Sequence, residues 1–270
     1  MSVAIARQLR WMAAPAAVLL ALTVAACASG PKRPPAGSAE PDKFLFDRGN
    51  EELEQHHWFT AREYFREIVD NYPQSAYRAD AKLGVGDTFL GQGTTEAIVL
   101  AENEFREFLN FYPTHPRADY AQYKLGISHF EQMRSAQRDQ TETRAAITEF
   151  EAFIERYPNS ALMGEVREKL REASDRLDES DFRVGLFYFR AKWYPGAIDR
   201  FKTVLDRDPQ YTGRDAVYYY LGESLIKMNL PAEALPYFER LVTEFEQSEH
   251  LEDAKRRIAE LKSGHDTHAH

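Results

Sequence analysis

The chain has 270 residues and a mass of 31.1 kDa, and 43% of its residues are apolar, which suffices for a substantial core. It carries 34 Lys and Arg residues against 43 Asp and Glu residues. This acidic balance disfavours nucleic acid and anionic lipid surfaces as partners, because both bind clustered basic side chains. The single cysteine, Cys27, ends an N-terminal apolar segment, so disulfides, thiolate zinc sites and cysteine nucleophiles are excluded from the rest of the chain.

The first 26 residues have the pattern of an export signal. Arg7 and Arg10 precede an apolar stretch that is too short and too rich in alanine for a membrane span. The run Val24-Ala25-Ala26-Cys27 resembles the bacterial lipobox, whose cysteine becomes the lipidated N-terminus of the mature protein. We therefore predict a lipoprotein signal peptide over residues 1–26 and a covalent lipid on Cys27. The alternative is an ordinary signal peptide that contains a cysteine.

Residues 27–41 form the predicted tether between the lipid and the folded body. The stretch is rich in Ser, Gly, Ala and Pro and lacks apolar periodicity, so it spans roughly 40 Å at ~3.1 Å per residue. The residue after the cysteine is Ala28 rather than an aspartate. This resembles the enterobacterial pattern for sorting to the outer membrane. We predict a protein that is lipid-anchored at the periplasmic face of the outer membrane, since several acyl chains give stable anchoring.

After residue 42 almost every segment has helical spacing of apolar residues, and period-two alternation of β-branched residues is absent, which predicts an all-α fold. A frame of Gly, Ala, Phe and Pro recurs at intervals of twelve, four and eight residues. Three copies keep these intervals, with Glu246 in place of the last proline. They are Gly49, Ala61, Phe65 and Pro73; Gly185, Ala197, Phe201 and Pro209; and Gly222, Ala234 and Phe238.

Two further copies keep the frame from the alanine onward: Ala101, Phe105 and Pro113, and Ala146, Phe150 and Pro158. Their upstream glycines, Gly84 and Gly126, stand five and eight residues further back than the frame requires. The excess predicts lengthened loops between the paired helices, at residues 91–95 and 135–143.

The five frames match the tetratricopeptide repeat. Glycine on the first helix and alanine on the second permit close packing, the aromatic residue fills the space behind them, and proline ends the second helix. We predict an all-α tetratricopeptide-repeat superhelix of about five helix-turn-helix repeats with a C-terminal capping helix; a generic helical bundle is the alternative. The predicted boundaries are residues 42–160 for repeats 1–3, 161–262 for repeats 4–5 and the capping helix, and 263–270 for a disordered tail.

Such repeats present a concave surface, lined by the first helix of each pair, that can hold a peptide or another domain. Aromatic side chains with a few cations on that surface suit an extended apolar segment with a terminal carboxylate. The alternative is that the aromatic residues are core residues between repeats. The predicted peptide-binding groove comprises Lys43, Phe46, Asn50, Leu53, Arg78, Ala81, Val85, Phe89, Tyr120, Tyr123, Ile127 and Phe130.

Sequence signatures of catalysis are absent: the chain has no Gly-x-Ser-x-Gly elbow, His-Glu-x-x-His pair, P-loop or Rossmann glycine pattern. We expect a solvated turn where Asp206 and Asp208 flank Arg207. We therefore predict that the protein is not an enzyme and has no catalytic residue.

Histidines are the remaining candidates for a metal site. His56 and His57 precede Trp58 at a turn, where we expect a solvated pair. His265, His268 and His270 fall in the predicted disordered tail. We predict no metal site and no cofactor apart from the covalent lipid on Cys27.

Three local strings in the repeats are distinctive. They are Asn110-Phe111-Tyr112-Pro113-Thr114-His115-Pro116 followed by Asp119-Tyr120-Ala121 and Tyr123, Arg138-Asp139-Gln140-Thr141, and Arg156-Tyr157-Pro158-Asn159-Ser160. In combination they resemble the BamD family of outer-membrane assembly lipoproteins, and the resemblance extends over the lipobox, the tether and about five repeats. Glu246 and the tail to His270 depart from the family's pattern.

The resemblance implies a non-enzymatic periplasmic scaffold that helps to insert β-barrel proteins into the outer membrane. In that family the N-terminal repeats are associated with recognition of unfolded barrels, including their C-terminal strand. The C-terminal repeats dock on the periplasmic domains of the barrel insertase BamA and meet smaller lipoproteins. Carried onto this chain, the groove from Lys43 to Phe130 receives substrate, and the repeats from Phe182 to Arg257 carry the docking face.

Two other functions remain compatible with the sequence. One is a different tetratricopeptide lipoprotein, such as a pilotin for secretin assembly or a cell-division coordinator. The other is an enzyme, for instance a peptidoglycan hydrolase, whose carboxylates meet across the superhelix.

Overall fold

The computed structural model describes residues 32–266, with side chains to residue 263. This part of the chain contains eleven helices and no strand, which confirms the all-α class. The predicted signal peptide and the lipidation of Cys27 lie outside the described residues, as do His268 and His270. The helices are α1 (Pro41–Glu54), α2 (Trp58–Asn71), α3 (Arg78–Gln92), α4 (Thr95–Phe111), α5 (Ala118–Glu131), α6 (Thr141–Arg156), α7 (Met163–Arg190), α8 (Tyr194–Arg207), α9 (Arg214–Lys227), α10 (Pro231–Glu244) and α11 (Leu251–Asp266).

The chain divides into two compact units, and the boundary between Glu104 and Phe105 lies inside α4. In the first unit α1, α2 and α3 pack against one another. In the second unit each helix from α5 to α11 packs against the next, which is the serial stacking expected of repeats. Its buried apolar residues include two clusters, one around Phe150 and Phe153 and one around Phe201, Tyr218 and Phe238.

The repeated glycines and phenylalanines contact each other inside each helix pair. A Cβ atom added to Gly49 would lie 2.6 Å from the ring of Phe65, and one added to Gly222 would lie 2.6 Å from the ring of Phe238. The same contact recurs between Gly126 and Phe150 and between Gly185 and Phe201, and the five repeated alanines are fully buried. The tetratricopeptide frame is confirmed. The glycine is required because the phenylalanine ring occupies the place of its side chain, rather than because two backbones approach.

The second helix of every pair ends two residues before the proline position. The last residues of α2, α4, α6 and α8 precede Pro73, Pro113, Pro158 and Pro209 in this way. Helix α10 ends at Glu244 in the same register, although Glu246 replaces the proline. Its cap residue Phe245 packs edge-on against Tyr218, so packing as well as proline ends these helices.

A serine in the junction after the second helix bonds to an aspartate at the start of the first helix of the same pair. Ser160 donates its hydroxyl to Asp119, and Ser248 donates to Asp215, each at 2.6 Å. Ser75 bonds likewise to Asp42 and lowers the pKa of that carboxyl. Asp119 and Asp215 are the second residues of their helices, so their negative charges also interact favourably with the helix dipole.

The loop predicted at residues 91–95 is wrong. Helices α3 and α4 are joined by two residues only, and α4 begins early enough that Ala101 is its seventh residue, whereas Ala61 is the fourth residue of α2. The register of α3 also differs from the sequence frame. Gly84 contacts Phe65 of the preceding repeat, and Gly86, the ninth residue of α3, has the helix position that Gly49 has in α1.

The longer loop of the third repeat, residues 132–140, is confirmed and is held by one buried amide. The Gln140 side chain donates to the carbonyls of Ser135 and Arg138, both at 2.9 Å, and accepts from the hydroxyl of Thr143 at 2.8 Å. The amide thereby satisfies backbone groups that would otherwise lack partners.

Helix α7 is a feature that the sequence frame did not predict. It runs for 28 residues without a break, and Gly185 is its twenty-third residue. It packs against α6, α8 and α9, so it serves both the third and the fourth helix pair. Helix α11 continues to Asp266, beyond the predicted start of the tail at residue 263.

Residues 32–40, the last part of the predicted tether, are not helical and lie against α2. The Lys32 backbone N–H donates to the Tyr64 hydroxyl at 2.5 Å, and residues 32–34 border a cavity of about 630 Å³ together with Leu45 of α1 and residues of α2. A turn with Gly37 at φ 79° leads from there into α1. In the described residues, no helix has the length and apolar character that crossing a bilayer requires.

Three turns within helix pairs place a non-glycine residue in the left-handed region: His56, Lys192 and Asn229, at φ near 60°. At the second of these turns the Lys192 N–H donates to the Phe189 carbonyl and the Trp193 N–H to that of Tyr188. This is the pattern of a helix end that glycine usually occupies.

Lys192→Gly is expected to raise the free energy of unfolding by about 0.5 kcal/mol. Relief of the left-handed strain slightly exceeds the extra entropy that glycine loses on folding. Urea denaturation followed by circular dichroism measures the change. The matched control is Lys202→Gly inside α8, which should lower stability by about 1 kcal/mol. Equal losses in both variants would contradict the assignment of strain.

Candidate functional site

In the first unit, the predicted groove residues on α1 surround an aromatic contact. The ring of Phe46 stacks on Tyr77 with centroids 5.0 Å apart and leans on Phe65 at 6.0 Å. Lys43 is exposed and forms an ion pair with Asp47 at 2.8 Å. Asn50 and Leu53 are half-buried on the same helix. The α1 residues therefore offer partly exposed apolar area next to one cation.

The predicted groove residues on α3 are mostly buried. Ala81, Val85 and Phe89 have at most 7% of their surface exposed, so they are core residues beneath the predicted groove. Arg78 donates from Nε to the carbonyl of Val69 at 3.0 Å, which satisfies a free carbonyl at the end of α2. For these positions the structure favours a packing role, which was the alternative stated for Phe89.

In the second unit, two groove aromatics lie under cations. The Tyr120 ring has the Arg117 guanidinium 4.4 Å and the Lys124 ammonium 5.3 Å from its centroid. The Phe130 ring has the Lys169 ammonium at 4.5 Å and packs on Phe150. Both rings are half-buried, so part of each remains accessible. Cation–π pairs of this kind hold the rings in place while leaving positive charge near the surface.

Tyr123 and Ile127 lie deeper in the same helix. The Tyr123 ring is buried, and its hydroxyl donates a short hydrogen bond to Glu165 of α7. Burial, and then this carboxylate, raise the pKa of Tyr123. Ile127 packs on the cluster around Phe150. Tyr123 therefore joins α5 to α7, and its assignment as a contact residue for peptide stays a prediction.

The C-terminal repeats contain a charged network between α7 and the end of α8. Arg207 donates to Asp178 at 3.0 Å from Nε and to Asp181 at 2.7 Å from Nη1. Arg171 donates to Asp208 and pairs with Asp175 at 3.0 Å. The solvated turn predicted around Arg207 and Asp208 is therefore wrong: the continuous α7 places its own charged residues against this turn. Asp206 is exposed, as expected.

Asp178 is the buried carboxyl of this network, with 2% of its side chain exposed. Burial raises the pKa of Asp178 to about 7, against the opposing effect of Arg207. Burial also acts on Asp208, but the hydrogen bond from Arg171 prevails and lowers the pKa of that carboxyl. The two carboxyls border a cavity of about 460 Å³.

A pair of carboxyls with separated pKa values can serve as an acid and a base in catalysis. Here each carboxyl is bound by a guanidinium group, and Asp178 has almost no surface that a substrate could contact. The geometry is that of a clamp between two helices. It does not support the hydrolase alternative.

Large apolar side chains are exposed at two turns of the C-terminal repeats. Phe187 and Trp193, at the turn between α7 and α8, are 66% and 54% exposed, and Tyr188 packs edge-on against the tryptophan. Met228 and Leu230 are exposed at the turn between α9 and α10. We call these four residues (Phe187, Trp193, Met228 and Leu230) the apolar edge. Two exposed aromatic side chains at one turn, as at Phe187 and Trp193, are the kind of apolar surface that a partner can cover.

Comparison with known proteins agrees with this architecture. The family model described as YfiO, outer membrane lipoprotein, matches residues 38–234, from just before α1 into α10. The chain belongs to this family. The resemblance predicted from the sequence is thereby confirmed.

Named relatives in this family are assembly factors. The outer membrane protein assembly factor BamD of Caulobacter vibrioides is 32% identical over 221 residues, which cover 81% of this chain and 71% of the relative. The factor of the same name from Rickettsia prowazekii is 26% identical over 224 residues, with 82% and 86% covered. Among solved structures, the TPR2AB domain of yeast Sti1 in its pHSP90 complex matches with a TM-score of 0.49 and 12% identity, over 84% of this chain and 85% of that chain.

In this member of the YfiO family two sets of charged residues lie outside everything that the repeat frame predicts. The ion pair of Asp178 with Arg207 was not predicted, because nothing in the repeat frame shows that α7 is continuous. Arg62 and Arg66 of α2 lie outside the predicted groove, whose residues all come from first helices. Their spacing of four residues, with Phe59 three residues before, places all three on one helix face and was a signal.

Proposed function

We propose that the chain is a non-catalytic scaffold lipoprotein of the machinery that assembles β-barrel proteins in the outer membrane. Its first three repeats hold an extended segment of an unfolded barrel protein. Its last repeats bind the periplasmic domains of a BamA-like insertase and other assembly lipoproteins. Membership of the YfiO family and the name of the relatives, outer membrane protein assembly factor, support the assembly role.

The observation that carries substrate binding is the set of half-buried aromatic rings beside cations in the predicted groove. Tyr120 with Arg117 and Lys124, and Phe130 with Lys169, combine apolar area with positive charge. An unfolded barrel strand has apolar side chains and unpaired backbone groups that promote aggregation. Rigid rings on a helix bind such a segment without becoming ordered themselves, because packing already fixes them.

Transfer of the substrate to an insertase requires weak binding. A segment that becomes ordered when it binds spends part of the interaction energy on that ordering, so its affinity per area is low. The groove therefore protects the segment without trapping it.

The apolar edge supports the docking role of the C-terminal repeats. Its residues stay exposed beside a packed core, so contact with another molecule would remove their apolar surface from water. Exposed basic residues flank the edge at Arg190, Lys192 and Lys227. Aromatic residues with nearby basic groups are typical of the energetic centre of a protein interface.

The proposed attachment is the lipid on Cys27 at the periplasmic face of the outer membrane. Outer-membrane association agrees with the family description. Two or more acyl chains anchor a protein stably, so no membrane-spanning helix is needed.

Tyr120→Ala is expected to weaken binding of a barrel-derived peptide about fivefold, since truncating an aromatic contact residue commonly costs more than 1 kcal/mol. Phe187→Ser is expected to leave that affinity unchanged and to reduce recovery of the insertase with the affinity-tagged protein from detergent-solubilised outer membranes. Fluorescence anisotropy measures the first effect, and quantitative mass spectrometry of the recovered complex measures the second.

Phe111→Ala is the matched control, because Phe111 is an exposed phenylalanine at the end of α4, outside both proposed surfaces. It should change neither measurement. Recovery of a secretin instead of an insertase would favour the pilotin alternative. Loss of both activities in each variant would mean that the two surfaces are not separate.

A further inference from the structure

The tether is attached to α2 before it reaches α1. The backbone N–H of Lys32 donates to the hydroxyl of Tyr64, and Tyr64 is only 2% exposed, so packing holds this acceptor in place. Pro34, two residues further along the tether, is half-buried. We call residues 32–34 the strap. All of these residues belong to the first compact unit.

A closed turn follows the strap and holds its other end. The Ser38 N–H donates to the carbonyl of Pro35 at 3.0 Å, and Gly37, the third residue of this turn, has φ 79°. This is the pattern of a type II turn, in which the third position favours glycine. Pro34 and Pro35 have restricted backbones already, so ordering them costs less entropy than ordering other residues. The strap is therefore held both by α2 and by its own turn.

The strap and α2 carry opposite charges around the cavity of about 630 Å³ that they both border. The strap contributes the exposed basic residues Lys32 and Arg33. On α2 the exposed charged residues that line the cavity are Glu63, Arg66, Glu67 and Asp70. The three carboxylates are spaced four and three residues apart, which places them on one face of the helix. The α2 side is thus net negative and the strap side is positive, so their charges attract.

We propose that the strap is docked on the acidic face of α2, and that the lipid on Cys27 thereby holds the first helix pair close to the bilayer. The inference rests on the proposed lipid attachment. Cys27 and Lys32 are five residues apart, which allows at most about 18 Å at ~3.6 Å per residue. A tether that is free as far as α1 spans roughly 40 Å. Docking therefore more than halves the reach and makes α2 the attached side of the pair.

Docking also changes the charge that this side of the molecule presents to lipid. Carboxylates on α2 are repelled by a bilayer that contains anionic lipid, and the two strap cations reduce that repulsion. The strap is too short to bind such a bilayer by charge alone, since that takes clusters of about four to eight basic residues. The partner that fits the acidic face of α2 is therefore the strap of the same chain.

The test inserts the same ten Gly and Ser residues at two places in the full-length lipidated protein, bound to vesicles of phosphatidylethanolamine and phosphatidylglycerol. One insertion follows Ala28, before the strap, and the other follows Ser38, after the strap and its turn. A donor dye on Gln74→Cys, an exposed position just after α2, reports energy transfer to an acceptor lipid. The new cysteine is the only free thiol, because Cys27 carries the lipid.

The two insertions should differ in effect. The insertion before the strap should lower the transfer efficiency about twofold, because ten flexible residues add roughly 17 Å to the root-mean-square reach. The insertion after the strap should leave the efficiency unchanged. It only enlarges a closed loop, and the entropic cost of closing a loop rises slowly with its length. A free tether would respond equally to both insertions.

Charge reversal should undock the strap. In Lys32→Glu/Arg33→Glu the strap and the acidic face of α2 repel each other, so the two insertions should lower the efficiency equally. Adding Glu63→Lys/Glu67→Lys restores opposite charges and should restore the difference between the insertions. Both glutamates are exposed, so their replacement does not disturb the core. Circular dichroism checks that the helices of each variant are intact.

Protease access measures docking without a membrane. Trypsin cleaves after Lys32 and Arg33 only when the strap is released from α2. Tyr64→Phe removes the hydroxyl that accepts from Lys32, so cleavage in the strap should become about fivefold faster. Tyr72→Phe is the matched control, because it changes a half-buried tyrosine that lines the same cavity. It should leave the cleavage rate unchanged.

Equal losses of energy transfer for the two insertions, or strap cleavage that is insensitive to Tyr64→Phe, would overturn the inference. Vesicle binding by unlipidated protein that is lost in Lys32→Glu/Arg33→Glu would also overturn it and show a lipid-binding segment instead. Failure of the lipidated protein to bind vesicles would contradict the proposed attachment, and with it the position at the bilayer. The cleavage rates would then still decide whether the strap is docked.

Discussion

Arg207→Met is expected to lower the free energy of unfolding by about 3 kcal/mol at pH 8, and by about 1 kcal/mol or less at pH 5. Removing one partner of a buried ion pair leaves the other charge uncompensated, which typically costs about 3–5 kcal/mol. The charge left here belongs to Asp178, whose side chain is 2% exposed. At pH 5 Asp178 is mostly protonated, so the substitution removes mainly the stabilisation from the more exposed pair of Arg207 with Asp181.

The pH dependence follows from the raised pKa of Asp178. Its pKa in the folded state is about 7, against 3.8 for an ordinary aspartate, so between these values the folded protein keeps a proton that the unfolded chain releases. Stability from this group is complete below about pH 4 and is lost as the pH rises through 7. Removing Arg207 raises the folded pKa further, so the variant continues to lose stability above pH 7, where the wild type does not.

Urea denaturation at pH 5 and pH 8 measures this difference. Arg200→Met is the matched control, because Arg200 lies on the same helix and its nearest ion-pair distance, to Asp181, is 4.0 Å. The control should lose less than about 1 kcal/mol at either pH. An equal loss for Arg207→Met at both pH values would show that Asp178 is not the buried charge of the clamp.

Gly185→Ala is expected to lower the free energy of unfolding by about 2 kcal/mol. The new Cβ atom would lie less than 3.0 Å from the ring of Phe201. That ring is fully buried and packed against Phe182 and Tyr220, so it cannot move aside without disturbing the core. Overpacking of this kind costs about 1–3 kcal/mol and exceeds the gain of roughly 1 kcal/mol in helix propensity.

Gly164→Ala in the same helix is the matched control with the opposite sign. A Cβ atom at Gly164 meets nothing within 4 Å, so the substitution should stabilise the protein by up to about 1 kcal/mol. Thermal unfolding by circular dichroism compares the two variants. Stabilisation by both substitutions would mean that Phe201 does not occupy the place of the missing side chain.

The sequence predicted the parts of the fold that depend on contacts within one helix pair. The contact between Gly222 and Phe238 and the buried Ala234 recur wherever the frame recurs, because a constant interval along two helices puts the same residues opposite each other. Helix α10 ends in the same register as the other second helices although Glu246 replaces the proline, which the sequence frame gave only as a departure.

The predicted site was less successful than the predicted fold. A residue on the first helix of a pair faces its own partner helix, the next repeat or solvent. A shift of one residue along the helix changes which of these three surroundings the side chain faces. Ala81 and Val85 are therefore buried, although neighbouring positions on α1 stay partly exposed. Gly84 was likewise placed in the wrong pair, because it packs on the phenylalanine of the preceding repeat.

The amino-acid sequence alone determined the all-α class, the repeat frame, the ends of the second helices and the family, because all four are carried by residue types at short, regular separations. The tertiary structure decided which charges are neutralised. Asp178 and Arg207 are 29 residues apart in the chain and meet because α7 is continuous. Arg62 of α2 lies beside Phe89 and Gln92 of α3, which are 27 and 30 residues away in the chain. Such pairings depend on distances between helices, which no local pattern specifies.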